Sequence, residues 1–213
     1  MSESGSMPLP RLTLVGKPAP ANGADDAELA RALIRQDPGI TFVAWTRLHP
    51  AVDGTLRRLM GPGNDIPDIA QEVFLRFFRH VGKLRDPAAL RSFLTGICLR
   101  VVRRELRSRW LRRFLHLTAT GDAPELAASL DVESREVLQH YYALLERLGA
   151  EGRSLYVARH IERLPMAEVA AHHGLSISTT QRRLARVVRR MAAMVEGDPV
   201  LAAYVASAPE DEA

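Results

Sequence analysis

The sequence predicts an all-α protein of two small helical domains joined by a flexible linker. Three observations carry that class. Apolar residues recur at three- and four-residue spacing along most of the chain, and no stretch alternates with the period of two that a half-buried strand requires. Thr118 to Leu130 mixes Thr, Gly, Asp, Pro and Ala, the composition of a connector rather than of a packed element. Basic side chains gather in two blocks, one on either side of that connector. The expected organisation is an N-terminal arm over 1–24, a first domain over 25–113, a linker over 114–130, a second domain over 131–196 and an acidic tail over 197–213.

The elements follow in order. Met1 to Asn22 holds Pro8, Pro10, Pro18 and Pro20 without periodicity and reads as a flexible arm, lacking the basic start and apolar stretch of a signal peptide. Asp25 or Asp26 caps a first helix through Leu29, Leu33 and Ile34, which Asp37, Pro38 and Gly39 end. A second helix spans about Ile40 to Met60, with Val52, Leu56, Leu59 and Met60 on its apolar side and Pro50 expected to kink it. Gly61 to Asn64 is a turn. Asp65 to His80 carries Ile69, Val73 and Phe77 as one stripe, with Asp68, Gln71, Glu72, Arg76 and Arg79 opposite. After a loop over Gly82 to Pro87, a long helix from Leu90 to Arg113 buries Phe93, Leu94, Ile97, Val101, Val102, Leu106 and Trp110. Its other face presents Arg100, Arg103, Arg104 and Arg107. The second domain reads as helices over Val132–Leu148, Arg153–Arg163, Pro165–His173 and Ser176 to about Val195.

The net charge of +4 hides a segregation. Residues 76–113 hold twelve basic side chains against Asp86 and Glu105, whereas 114–151 hold seven acids against Arg135 and Arg147. Residues 176–191 hold five arginines and no acid, and 192–213 hold five acids and no base. Two separate basic elements suit two separate contacts with a polyanion. All but Lys17 and Lys83 of the basic residues are Arg, which grips phosphates and guanine edges bidentately.

Other functional classes find little support. The lone cysteine, Cys98, lies within an apolar helix as a small core residue and excludes an intramolecular disulfide framework. His160, His172 and His173 form no metal motif, since adjacent histidines on a helix point about 100° apart. There is no Gly-rich phosphate loop, nucleophile motif or H-E-x-x-H. The sequence therefore names no catalytic residue, metal or other cofactor, and no small-molecule substrate. No apolar run approaches the roughly 20 residues that span a bilayer.

Pro165 to Arg186 has the layout of a helix-turn-helix. Pro165 suits a helix start, Glu168 favours the helix dipole, Ala170 is small where helices cross, and Gly174 supplies a positive φ. Ser176 caps the next helix, whose first turn is small and polar and whose later turns are basic. Short residues and Gln or Arg at that end can reach base edges, while later arginines grip phosphates.

These residues carry a resemblance. Asp68, Gln71, Glu72, Phe74 and Arg76 stand in the spacing D-x-x-Q-E-x-F-x-R found in RNA polymerase sigma factors of the sigma-70 family. Ala89 to Leu94 resembles that family's entry to its promoter-melting helix. Leu48, His49 and Pro50 match a proline kink in its second helix. Leu175 through Leu184 resembles its second DNA-binding helix-turn-helix, although His173 and Thr180 stand where aliphatic residues are usual. Gly149 to Gly152 also departs from the usual turn. Two such domains and a short linker are similar to the extracytoplasmic-function (ECF) group, over roughly residues 27–194.

The resemblance implies a region 2-like bundle followed by a region 4-like domain, in a bacterial cytoplasmic protein. Asp68, Gln71, Glu72 and Arg76 would dock on the β′ clamp helices of core RNA polymerase, with the β flap as a further contact. Lys83, Arg85, Arg91, Ser92, Phe93, Arg100, Arg103, Arg104 and Arg107 would capture and melt the −10 promoter element. Phe93 could serve as a stacking platform, but its helical spacing favours a place in the core. Ser178, Thr179, Thr180, Gln181, Arg182, Arg183 and Arg186 would read the −35 element. Promoter DNA and core polymerase are the implied partners, an anti-sigma factor a further one, and a membrane is not among them. The competing reading is a helix-turn-helix regulator that leaves polymerase alone.

Overall fold

The computed structural model describes residues 23–61, 65–115 and 132–207, with side chains over 25–61, 65–109 and 134–207. Most of the expected arm, the centre of the Gly61–Asn64 turn, nearly all of the linker, the end of the tail and the Trp110 side chain lie outside the described residues.

Every regular element among the described residues is helical. The first part holds α1 (Gly23–Arg35), α2 (Ile40–Met60), α3 (Ile66–His80) and α4 (Leu90–Leu115). Two short 3₁₀ turns, Val81–Lys83 and Pro87–Ala89, carry the chain from α3 into α4. The second part holds α5 (Val132–Arg147) and α6 (Gly149–Tyr156), which continues into a π-turn over Val157–Ile161. It ends with α7 (Met166–His173), α8 (Ile177–Glu196) and α9 (Pro199–Ser207).

Local chemistry explains most of these bounds. Asp86 accepts a hydrogen bond from Ala88 N at 2.9 Å and starts the turn that launches α4. Gly39 and Gly61 take φ of +76° and +81° at the two ends of α2, backbone that a side chain would strain. Pro50 lies inside α2, which continues as a helix on both sides of it. Asp25 and Asp26 stand in the first turn of α1 rather than capping it, because the helix begins at Gly23. α6 likewise begins at Gly149, well before Arg153.

The core of the first part is built from Leu48, Leu56, Leu59, Val73, Phe77 and Leu90, each wholly buried. A second core joins Tyr141, Leu145, Tyr156, Met191 and Leu201. Leu201 belongs to α9, so residues 199–207 of the stretch expected as an acidic tail form a packed helix, while Glu210, Asp211 and Glu212 lie outside the described residues. Asp198 caps α9, accepting from Val200 N and Leu201 N, and pairs with His140 of α5 at 2.8 Å.

The two parts share apolar surface. Leu155, Val157, Ala158, Val169 and Leu184 of the second part join the core of the first. A buried ion pair ties them as well: Arg58 Nε of α2 meets Glu162 Oε1 at 2.8 Å. Tyr142 of α5 donates its hydroxyl to the Arg57 carbonyl at 3.0 Å.

Candidate nucleic-acid interface

Three groups of side chains were expected to act, and the fold places each on its own surface. On α3, Asp68 and Gln71 are exposed, and Glu72 is half-buried. Glu72 holds Arg76 through an ion pair of 2.6 Å, the i, i+4 geometry of a helix surface. Leu75 sits among them and is 53% exposed. A large apolar side chain in the middle of a polar helix face has the make-up of a protein-docking surface. Its signal in the sequence is an apolar residue seven positions after Asp68, on the side opposite the Ile69, Val73 and Phe77 stripe.

The second group surrounds α4. Lys83 and Arg85 are exposed on the turn before it, and Arg100, Arg104 and Arg107 are exposed along one side of it. Partial desolvation, then the neighbouring Arg103 and Arg76, hold the Arg100 guanidinium below its ordinary value. That crowding of like charge favours an anion. Arg76, His80, Ile97 and Arg100 line a small cleft of about 260 Å³ between α3 and α4.

Four residues of this group have other occupations. Arg91 pairs with Asp26, a buried carboxylate that also meets Arg47 at 3.2 Å, so Arg91 closes α1 onto the bundle. Ser92 is hydrogen-bonded to Glu168 of α7. Phe93 is half-buried and its ring packs 6.3 Å from that of Phe77, which makes it an edge of the core. Arg103 is half-buried, and its Nε is fully covered without a hydrogen-bond partner.

The helix-turn-helix has the expected geometry. Gly174 takes φ of +65° and ends α7, and its neighbour Leu175 donates to the Ala170 carbonyl at 3.0 Å. Ser176 caps α8, accepting from Thr179 N at 3.2 Å. Ser178, Gln181, Arg182, Arg183 and Arg186 are exposed, and Thr179 is half-exposed. Arg183 pairs with Glu151 of α6. Thr180 corrects the expectation: it is wholly buried, and its hydroxyl turns back to the Ser176 carbonyl at 3.0 Å. It therefore fills the apolar position that the motif requires, with its polar atom satisfied locally.

His173, the other departure, is accommodated in a similar way. Its Nδ1 donates to the Val169 carbonyl at 2.8 Å, so its Nε2 accepts from the Ser154 hydroxyl at 3.0 Å. Burial holds both His173 and His172 below the ordinary imidazole range. Cys98 is buried and burial pushes its thiol far up, as expected for an inert core residue. Arg153 has no sequence signal. It is 2% exposed, lies 5.8 Å over the Tyr142 ring, and burial lowers it to about 10.

A helical protein with two separated basic surfaces, one of them a capped helix-turn-helix, has the make-up of a nucleic-acid-binding regulator. Comparison with known proteins narrows that class. The sequence profile of Sigma-70 region 2 matches residues 33–112. The ferric citrate uptake sigma factor FecI of Escherichia coli is 31% identical over 147 residues, covering 66% of this chain and 82% of FecI. The probable RNA polymerase sigma factor RfaY of Xanthomonas campestris is 33% identical over 129 residues, covering 56% of this chain but 31% of RfaY. This chain belongs to the sigma-70 family of RNA polymerase sigma factors, in its ECF-type group, and a role in transcription initiation with core RNA polymerase goes with that membership.

Two solved structures share the fold. CnrH, solved in complex with the cytosolic domain of CnrY, matches with TM-score 0.58 at 22% identity, over 81% of this chain and 98% of CnrH. The sigma factor RpoE of Bartonella quintana, solved with the anti-sigma factor NepR, matches with TM-score 0.54 at 18% identity, over 72% and 95%. Sigma factors are generally non-enzymatic regulators, and no described helix is long and apolar enough to cross a membrane.

Proposed function

We propose that the protein directs core RNA polymerase to two-element promoters and opens them, using the three surfaces in separate roles. The observation that carries this reading is the arginine face of α4. Arg100, Arg104 and Arg107 project from one rigid helix beside Lys83 and Arg85, while the capped α8 stands as a second basic element. A positive face that follows a single strand stabilises melted DNA, and a helix with short polar residues at its start reads a duplex groove.

Asp68, Gln71, Glu72 and Arg76, with Leu75 at their centre, dock on the β′ clamp helices, and the second domain meets the β flap. The Lys83–Pro87 turn and the arginines of α4 hold the −10 element. Ser178, Thr179, Gln181 and Arg182 read the −35 element, and Arg183 and Arg186 grip its phosphates; Thr180 leaves that set because it is buried. The protein does no chemistry of its own and works in the bacterial cytoplasm. An anti-sigma factor is a further partner on this reading, since both structural relatives were solved with a bound protein partner.

The test is in vitro transcription with core polymerase on a genomic library, reading start sites. The expected result is a small set of starts sharing two upstream elements, lost when Asp68 and Glu72 are both changed to Ala. Binding to duplex promoters without any initiation would overturn the reading in favour of a regulator that does not engage polymerase.

A further inference from the structure

One large apolar side chain of the second part has no place in its core. Ile177 is 50% exposed, and the other exposed large apolar side chains among the described residues, Phe42, Val43, Trp45 and Leu75, all belong to the first part. Ile177 opens α8, directly after the Ser176 cap. Gln181 and Ala185 follow it at i+4 and i+8, both exposed, so the three run along one side of the helix. Other sides of α8 are occupied. Thr180 and Leu184 are buried against the domain, and Arg183 is drawn to Glu151 of α6. The Ile177 side turns away from both, next to the exposed Ser178 and Arg182.

The chemistry of that side suits one kind of base pair. The hydroxyls of the first turn are partly committed to the cap: Ser176 Oγ donates to Thr179 Oγ1 at 2.9 Å and lies 3.2 Å from Ser178 Oγ. Ile177 has no hydrogen bond to offer. The apolar group that a major groove presents to it is the C5-methyl of thymine, whereas a Gln side chain pairs bidentately with adenine N6 and N7. Side chains at i and i+4 stand about 5–6 Å apart on a helix, against a rise of about 3.4 Å per base pair. Ile177 and Gln181 therefore reach pairs one or two steps apart, and each side chain selects A·T. Ala185, small and exposed, lets the helix backbone approach the groove.

We propose that Ile177 is a specificity-determining residue, packing on the C5-methyl of a thymine in the upstream promoter element one or two base pairs from an adenine held by Gln181. The inference rests on the function proposed above, in which α8 reads that element, and adds the base that an apolar residue selects there.

Replacing thymine by deoxyuridine tests it, since that removes the methyl group and keeps every hydrogen bond. Holoenzyme of the full chain and core polymerase first selects its upstream element from randomised duplexes. Each thymine of the element, on either strand, is then replaced in turn, and affinity is compared by competition for the wild type, Ile177→Ala and Ile177→Val, with helicity by circular dichroism as the check on folding. At one thymine the wild type should lose about fourfold on the uracil duplex, the contribution of one buried methyl group. Ile177→Ala should lose a similar factor on the thymine duplex and no longer distinguish the two bases, and Ile177→Val should still distinguish them. The same thymine-to-uracil ratio in the wild type and Ile177→Ala at every position would overturn the proposal. So would a selected element with no thymine within two pairs of an adenine. Loss of core-polymerase affinity in Ile177→Ala, with the ratio intact, would overturn it in favour of a protein contact. Sequence selection without a methyl effect removes this inference alone, whereas a holoenzyme that selects no duplex sequence removes the proposed function as well.

Discussion

Glu162 and Arg58 are separated by 104 positions, yet they form the most deeply buried ion pair described, with side chains 7% and 10% exposed. Breaking such a pair by removing one charge leaves the other stranded in a low dielectric. Glu162→Gln is therefore expected to cost about 3–5 kcal/mol in urea denaturation, and an Arg58→Met/Glu162→Leu double variant should recover most of it. His172 and His173 give a second expectation at this scale. Burial lowers both imidazoles, and the groups around His172 are Arg100 of α4 with Glu168 and His173 of α7. A ring that is harder to protonate when folded binds fewer protons than in the unfolded chain. Stability should be unaffected by these groups above about pH 6.5 and should fall as pH drops below it. Thermal midpoints measured between pH 7.5 and 5.5 should show that fall, and a His172→Gln/His173→Gln variant should show a flatter profile. A profile unchanged by the double substitution would remove these residues as the cause. Neither the pair nor the covered rings could be read in advance, because nothing local marks Glu162 or His172 as lying against another domain.

At the scale of the element, the helices were largely legible. α2, α3 and α8 fall within a residue or two of their expected bounds, since their apolar spacing, their caps and the prolines or glycines around them are all local. Ser176 is the clearest case. Ser176→Ala should cost about 1 kcal/mol in chemical denaturation by freeing the Thr179 amide, whereas an exposed residue such as Gln181 should change stability by under about 0.5 kcal/mol. Gln181→Ala should instead shift base preference in the upstream element, measured by selection from randomised promoters; equal loss on every sequence would place Gln181 on the phosphates. The failures at this scale have a common origin. α9 was hidden because its apolar residues lack a polar side of their own, and Leu201 is buried only by α5 and α8. Thr180 is polar, but it is wholly buried and its hydroxyl is satisfied within one turn of its own helix, so polarity alone does not mark it as a DNA contact.

For the whole molecule, the charge layout makes the strongest statement. On the proposed function two basic surfaces face the phosphates, so holoenzyme binding to promoter DNA should weaken steeply with salt. An Arg104→Ala/Arg107→Ala variant should lower the slope of log Kd against log salt by roughly 1–2. Open-complex formation, followed by permanganate reactivity of unpaired thymines, should fall more than duplex affinity. Equal losses in the two assays would assign these arginines to duplex contact instead. The helical class, the two basic blocks and the capped helix-turn-helix were legible in the chain itself, because each depends on residues within a few positions of one another. The contact that α4 makes with the second part was not: Ser92 bonds Glu168 of α7, and Leu99 is buried. Leu99 had no place on the expected apolar side of α4, and it is explained only when a second buried face appears under α6 and α7. Which surfaces are free and which are covered depends on how distant segments meet, and burial of apolar area, being non-directional, leaves no periodic mark of its partner in the sequence.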